Sequence, residues 1–245
     1  MLLSILKLVF VAAHTVVMAP LVVAVALFDE RRAYRLSLVW VRVNLAVCGV
    51  HLHSARQARL DPDTPYVFMS NHRSQFDILA VAAALGDFQL RWVAKKELLH
   101  VPFFGFALRH TGHIIIDRSN QRQAVASLRA AREKMATGIS VMIFPEGTRA
   151  KPDQVLLPFK KGGFMLALDT GFPIVPVVVR GSAELLPRGS WLPRGGDIDV
   201  LVGAPIDVRG VDRDELIRRV SEFMREHVTV PAPARRAAAV AAQAV

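Results

Sequence analysis

The chain has a single cysteine, Cys48, which excludes an intrachain disulfide framework and any metal cluster held by cysteines. Aromatic residues are scarce as well, at 7% of 245 residues. No nucleic-acid-binding module is legible, so nucleic acid is set aside as a partner. Acids are outnumbered, 21 against 31 lysines and arginines, which leaves a net charge of +10. That balance calls for an anionic lipid surface or for substrates that carry phosphate. His100, His110 and His113 lack a metal-ligand spacing and read as packing or surface residues, and no metal is expected.

Apolar residues are what the chain has in excess, at 52%, with a mean hydropathy of +0.32. Such values point to membrane association. Leu8 to Phe28 is a run of 21 residues without formal charge, interrupted by Pro20, and is long enough to cross a bilayer. Leu36 to Leu52 carries Arg42 and Asn44 and reads as interfacial. Cations flank the first run on both sides, at Lys7 and at Arg31, Arg32 and Arg35, so the positive-inside rule selects no orientation. A helical hairpin dipping into one leaflet fits this better than a span. The competing reading is a cleavable signal peptide with Ala24-Val25-Ala26 near its end.

From Pro65 onward, short apolar runs alternate with helical patterns. The runs predict strands over Tyr66–Met69, Leu90–Ala94, His113–Ile116, Val141–Phe144, Ile174–Val179 and Ile198–Val202. Helices are predicted over Phe76–Leu85, Asn120–Thr137, Lys161–Thr170 and Val211–Val228, the first three closed by Gly86, Gly138 and Gly171. The order implies an α/β fold, a largely parallel or mixed sheet flanked by helices, with an N-terminal membrane-associated helical pair. Residues 1–55 form the membrane-associated segment, residues 56–230 the domain that carries the chemistry, and residues 231–245 a Pro-Ala-Arg tail expected to be disordered.

The most informative stretch is Asn71-His72-Arg73-Ser74-Gln75-Phe76-Asp77, at a predicted strand-to-helix turn. On one continuous helix His72 and Asp77 would face different ways, whereas a turn before the first helical residue brings them together. The carboxylate then fixes the imidazole tautomer and leaves the other ring nitrogen free to take a proton from a hydroxyl. Ser74-Gln75-Phe76-Asp77 also matches a capping box, so Asp77 has a purely local task open to it, and the two tasks are compatible. Further along, Lys95-Lys96-Glu97-Leu98-Leu99, Gly112-His113-Ile114-Ile115-Ile116-Asp117-Arg118 and Phe144-Pro145-Glu146-Gly147-Thr148-Arg149 each put a cation beside a predicted strand end, where open α/β sheets bind ligands. The planar fork of Arg149 suits phosphate. Phe103, Phe104 and Phe106 read as core or membrane contacts rather than as an acyl pocket.

Read together with Ile174-Val175-Pro176-Val177-Val178, these stretches resemble the four ordered blocks of the glycerolipid acyltransferase family, above all its 1-acyl-sn-glycerol-3-phosphate acyltransferase branch. The resemblance covers about Pro65 to Val179, and the apolar N-terminal pair is similar to that family's membrane-docking helices. It implies that His72 is the general base and Asp77 its orienting carboxylate. Arg118 and Arg149 would hold the acceptor phosphate, with Lys95 a further contact, and Glu146, Gly147 and Thr148 would form the acceptor-binding turn. It further implies transfer of a fatty acyl group from acyl-CoA or acyl-carrier protein to the sn-2 hydroxyl of lysophosphatidate, with the thioester as co-substrate and no cofactor. Membrane lipids would be the partners, and the catalytic domain would face the cytoplasm. Relatives acylate other lysolipids through the same blocks, so a lyso-ornithine lipid is an alternative acceptor, and a non-catalytic lipid-binding protein is the alternative from another class.

Overall fold

The computed structural model describes residues 2–117, 121–151 and 153–229, with backbone alone for 121–125. In chain order the elements are α1 (Leu2–Ala26), α2 (Glu30–Cys48), β1 (Val50–Arg56), β2 (Val67–Ser70), α3 (Phe76–Ala84), β3 (Leu90–Lys95), a 3-10 turn (Lys96–His100), α4 (Phe104–His110), β4 (Ile114–Ile116), α5 (Gln121–Ala136), β5 (Ser140–Ile143), α6 (Gly162–Thr170), β6 (Ile174–Arg180), α7 (Ser182–Leu185), β7 (Gly196–Val202) and α8 (Arg213–Thr229). The strands form one seven-stranded sheet in the order β1-β7-β6-β2-β5-β3-β4. All neighbours run parallel except β6 and β7. This is the mixed α/β sheet expected from the alternation of runs.

The central strands are buried on both sides, as strands covered by helices on both faces must be. In β2, Phe68 joins a core with α2 and α3, while Val67 and Met69 join a second core with α5, α6 and α8. Successive residues of a strand point to opposite faces, so a single apolar run feeds both layers. The acidic N-cap Asp29 starts α2 by accepting the backbone N–H groups of Arg31 and Arg32.

Two findings depart from the expected segments. The strand β1 pairs in register with β7 from Val50 to Arg56, so residues 50–55, grouped above with the N-terminal helices, lie in the sheet. Gly49, at φ 73°, ends α2 and turns the chain straight into that strand. The 3-10 turn, α4 and α7 were also not anticipated; each is too short for a periodic pattern to register. The tail expected over 231–245 lies outside the described residues.

Among the described residues α1 is the one helix long and apolar enough to cross a membrane. It does not stand apart from the domain. One stripe lies along α2, with Lys7 Nζ donating to the Cys48 carbonyl (2.8 Å), His14 Nδ1 3.2 Å from Asn44 Oδ1, and Trp40 Nε1 donating to Thr15 Oγ1 (3.0 Å). The opposite stripe exposes Leu2, Leu3, Leu6, Val9, Val17 and Leu21. Cys48 is buried.

Candidate active site

The strands β2 and β5 are parallel neighbours, and the loops leaving their C-terminal ends meet. His72 follows β2, and Phe144 to Arg149 follow β5. His72 Nδ1 lies 2.9 Å from Asp77 Oδ2. The carboxylate only accepts there, so Nδ1 carries the proton and Nε2 is the nitrogen left to receive one. Asp77 is fully buried, and the His72 side chain is 13% exposed.

Asp77 also closes the helix start. Its Oδ2 accepts the backbone N–H groups of Ser74 (2.8 Å) and Arg73 (2.6 Å), which is the capping-box bond. Its Oδ1 accepts the hydroxyl of Ser182, at the start of α7. A buried carboxylate without partners would be costly, and this one has four donors around it. Ser182 was not singled out in the sequence. A serine after a strand reads as an ordinary turn residue, and its partner lies 105 residues away.

Two further contacts hold the turn. Asn71 exchanges both side-chain bonds with Val179 of β6, donating to its carbonyl (2.9 Å) and accepting its N–H (2.8 Å). Glu146 accepts the His72 backbone N–H (2.7 Å) with one oxygen and the Leu157 N–H (2.8 Å) with the other. Glu146 is buried, and burial pushes its carboxyl up to about 7, against the opposing pull of those two N–H donors. It therefore stands behind His72 with both oxygens occupied by backbone, not at the surface of the cavity.

That cavity, about 210 Å³, opens beside His72 and runs between the sheet and α1 to α4. Lys95, Gly147 and Thr148 line it together with His72, and Gly147, at φ 76°, makes the turn that carries Thr148 past the imidazole. Its deeper wall is apolar, with Val22, Leu38, Ala82 and Leu108 among its residues. Phe104 lines it too, whereas Phe103 and Phe106 are exposed, so the three phenylalanines divide between the cavity and the outer surface. His113 lies on the wall as well, and burial holds its imidazole down to about 3, so it is uncharged. Among the described residues no group of three potential metal ligands is gathered.

Of the residues singled out in the sequence, the structure thus brings His72, Lys95, Gly147 and Thr148 to one hollow, with Asp77 buried behind His72. Arg149 follows Thr148 along the chain but is not among the residues lining the cavity, and its carbonyl accepts from Arg188 (2.7 Å). Among the described residues no carboxylate pairs with the Arg149 guanidinium or the Lys95 ammonium. Arg118 lies outside the described residues.

A family profile described as acyltransferase matches residues 49–180, more than half of the chain. A chloroplastic 1-acyl-sn-glycerol-3-phosphate acyltransferase of Brassica napus is 36% identical over 66% of this chain and 47% of its own length. The enzyme of the same name from Pseudomonas aeruginosa is 36% identical over 61% of this chain and 57% of its own length. The chain spans about half the length of the relatives it matches. The crystal structure of PlsC, the 1-acyl-sn-glycerophosphate acyltransferase of Thermotoga maritima, superposes with a TM-score of 0.77 at 26% identity, over 93% of either chain.

Proposed function

The chain belongs to the acyltransferase family, and within it we propose that it transfers a fatty acyl group from acyl-CoA or acyl-carrier protein to the sn-2 hydroxyl of lysophosphatidate, giving phosphatidate for phospholipid synthesis. The observation that carries this reading is the His72–Asp77 pair, whose imidazole lines a mostly apolar cavity together with Lys95 and Thr148. The printed names of the relatives support the acceptor.

In this mechanism the acyl chain lies in the apolar cavity and the thioester carbonyl sits at its mouth. His72 Nε2 takes the proton of the acceptor hydroxyl as that oxygen attacks the carbonyl carbon. Asp77 stabilises the imidazolium that forms. The new C–O bond replaces the C–S bond, and the thiol leaves with the proton. No acyl-enzyme intermediate is required, because a thioester is already activated. Arg149 and Lys95 face the acceptor phosphate, with Arg118 as a third candidate. The α1–α2 pair docks the domain on the membrane with α1 lying in one leaflet, its inner stripe already taken by α2. The domain faces the cytoplasm, where thioester donors are found.

The test is an acylation assay of the purified chain with labelled acyl-CoA against a panel of lysolipids. Phosphatidate formed in preference to other products supports the reading. Acylation of a lysolipid without phosphate moves the acceptor assignment, and no transfer to any lysolipid rejects it.

A further inference from the structure

The loop over residues 186–195, between α7 and β7, exposes a large apolar pair far along the chain from α1 and from the exposed Leu27 and Phe28 that follow it. Trp191 is 76% exposed and Leu192 39%, and the indole N–H has no hydrogen-bond partner among the described residues. The exposed side chains of Arg188 and Arg194 bracket the pair. The loop itself is held in place: Ser190 N–H donates to the Pro187 carbonyl, Leu192 N–H to Ser190 Oγ, and Arg194 N–H to the Leu185 carbonyl. A tryptophan held out on a structured loop beside a leucine is matched to something other than water.

Its surroundings identify what. On one side the loop touches the turns that carry the site, where Ser74 Oγ donates to the Leu186 carbonyl (2.8 Å) and Arg188 Nη1 to the Arg149 carbonyl (2.7 Å). At its other end it meets the turn between α2 and β1, which the Lys7 side chain of α1 also reaches. Gly196 N–H donates to the Gly49 carbonyl (2.9 Å), and Lys7 of α1 donates to the carbonyl of Cys48, the residue before it. The exposed Leu2, Leu3 and Leu6 of α1 begin there. The base of the loop and the N-terminal turns of α1 thus share an anchor at Cys48 and Gly49, and each carries exposed apolar side chains close in sequence to cations, Lys7 on α1 and Arg188 and Arg194 on the loop.

We propose that this loop is a second bilayer contact, with Trp191 and Leu192 seated at the level of the lipid headgroups and Arg188 and Arg194 against anionic lipid phosphates. Amphipathic indole rings favour that depth, and arginine stems lie along apolar surface while their heads stay at the phosphates. The inference rests on the reading of α1 as a membrane-docking helix.

Leu192→Cys in the full chain, labelled with nitrobenzoxadiazole, tests this directly, because Cys48 is only 2% exposed and does not compete for the label. Matched labels go on Val17→Cys of α1 and on Glu222→Cys of α8, and each protein is mixed with phosphatidylglycerol vesicles carrying brominated acyl chains. The labels at 192 and 17 should shift to the blue and be quenched by the brominated lipid, while the label at 222 stays as in buffer. Arg194→Gln should weaken vesicle binding about fivefold at low salt, and Trp191→Ala roughly tenfold. Quenching at 17 with none at 192 overturns this inference and leaves the docking of α1 intact. Absence of quenching at both positions overturns the two together. A blue shift at 192 that grows with protein concentration and needs no lipid identifies a second copy of the chain as the occupant, and also overturns it.

Discussion

The imidazole of His72 lies flat against the ring of Phe144, with 3.9 Å between ring centres and 13° between their planes. Asp77 fixes one edge of the imidazole and Phe144 supports its face, so the ring keeps one orientation toward the cavity. Phe144→Leu keeps an apolar residue but removes the flat support. The expected outcome is a fall in kcat of about tenfold to a hundredfold, the scale of loss from small misplacement of a reacting group, with the acceptor KM little changed. Steady-state kinetics on the purified variant measures it, and an unaltered kcat would mean that Asp77 alone holds the ring.

Ser182→Ala leaves Asp77 Oδ1 without its hydroxyl donor in a fully buried position. A buried acceptor that loses its partner costs about 1–3 kcal/mol. Denaturant unfolding should show that loss. The kcat should fall as the carboxylate gains freedom to turn, again without a matching rise in acceptor KM.

Glu146 makes stability depend on pH in a direction opposite to that of most carboxylates. Its carboxyl is raised to about 7 from 4.5, so between those values the unfolded chain releases a proton that the folded chain keeps. The folded state therefore binds more protons, and this residue's contribution declines as pH rises from 4.5 to 7, by on the order of 3 kcal/mol in all. Glu146→Gln has no proton to release, so its melting temperature should decline less across that window than the parent's. A parallel decline in both proteins would show that Glu146 is ionised throughout.

The acyl chain's place in the cavity is tested at Ala82, a buried residue of α3 on its wall. Ala82→Phe fills part of the hollow and should lower kcat/KM for long-chain thioesters by about tenfold or more relative to short ones, since each methylene in an apolar pocket counts. Overpacking should cost about 1–3 kcal/mol of stability. A chain-length series of acyl-CoA donors separates the two effects, and an equal loss at every length would place the chain elsewhere.

The legible parts of this chain are those encoded over short distances. The strands β2 to β7 announce themselves as apolar runs bounded by proline, glycine or charge. The meeting of His72 with Asp77, five positions apart, follows from the arithmetic of a turn and a four-residue capping box. The strand β1 was hidden because it starts inside an apolar stretch and continues at the sheet edge through His51, His53 and Ser54, which leave no apolar run to mark it. The ties from Ser182 to Asp77 and from Asn71 to Val179 join residues more than a hundred positions apart, and no local pattern encodes them. Glu146 was legible as part of a turn. Its orientation toward the backbone of His72 depends on the adjacency of β2 and β5, which strand prediction alone does not order.

The central claim is that His72 removes the proton from the acceptor hydroxyl. The direct measurement is acyl transfer from labelled acyl-CoA to lysophosphatidate by His72→Ala, in vesicles, with circular dichroism and vesicle binding recorded on the same preparation. The account predicts a folded, membrane-bound protein whose turnover is lower by at least about a hundredfold, the contribution usual for a positioned base. Turnover within a few-fold of the parent would contradict it.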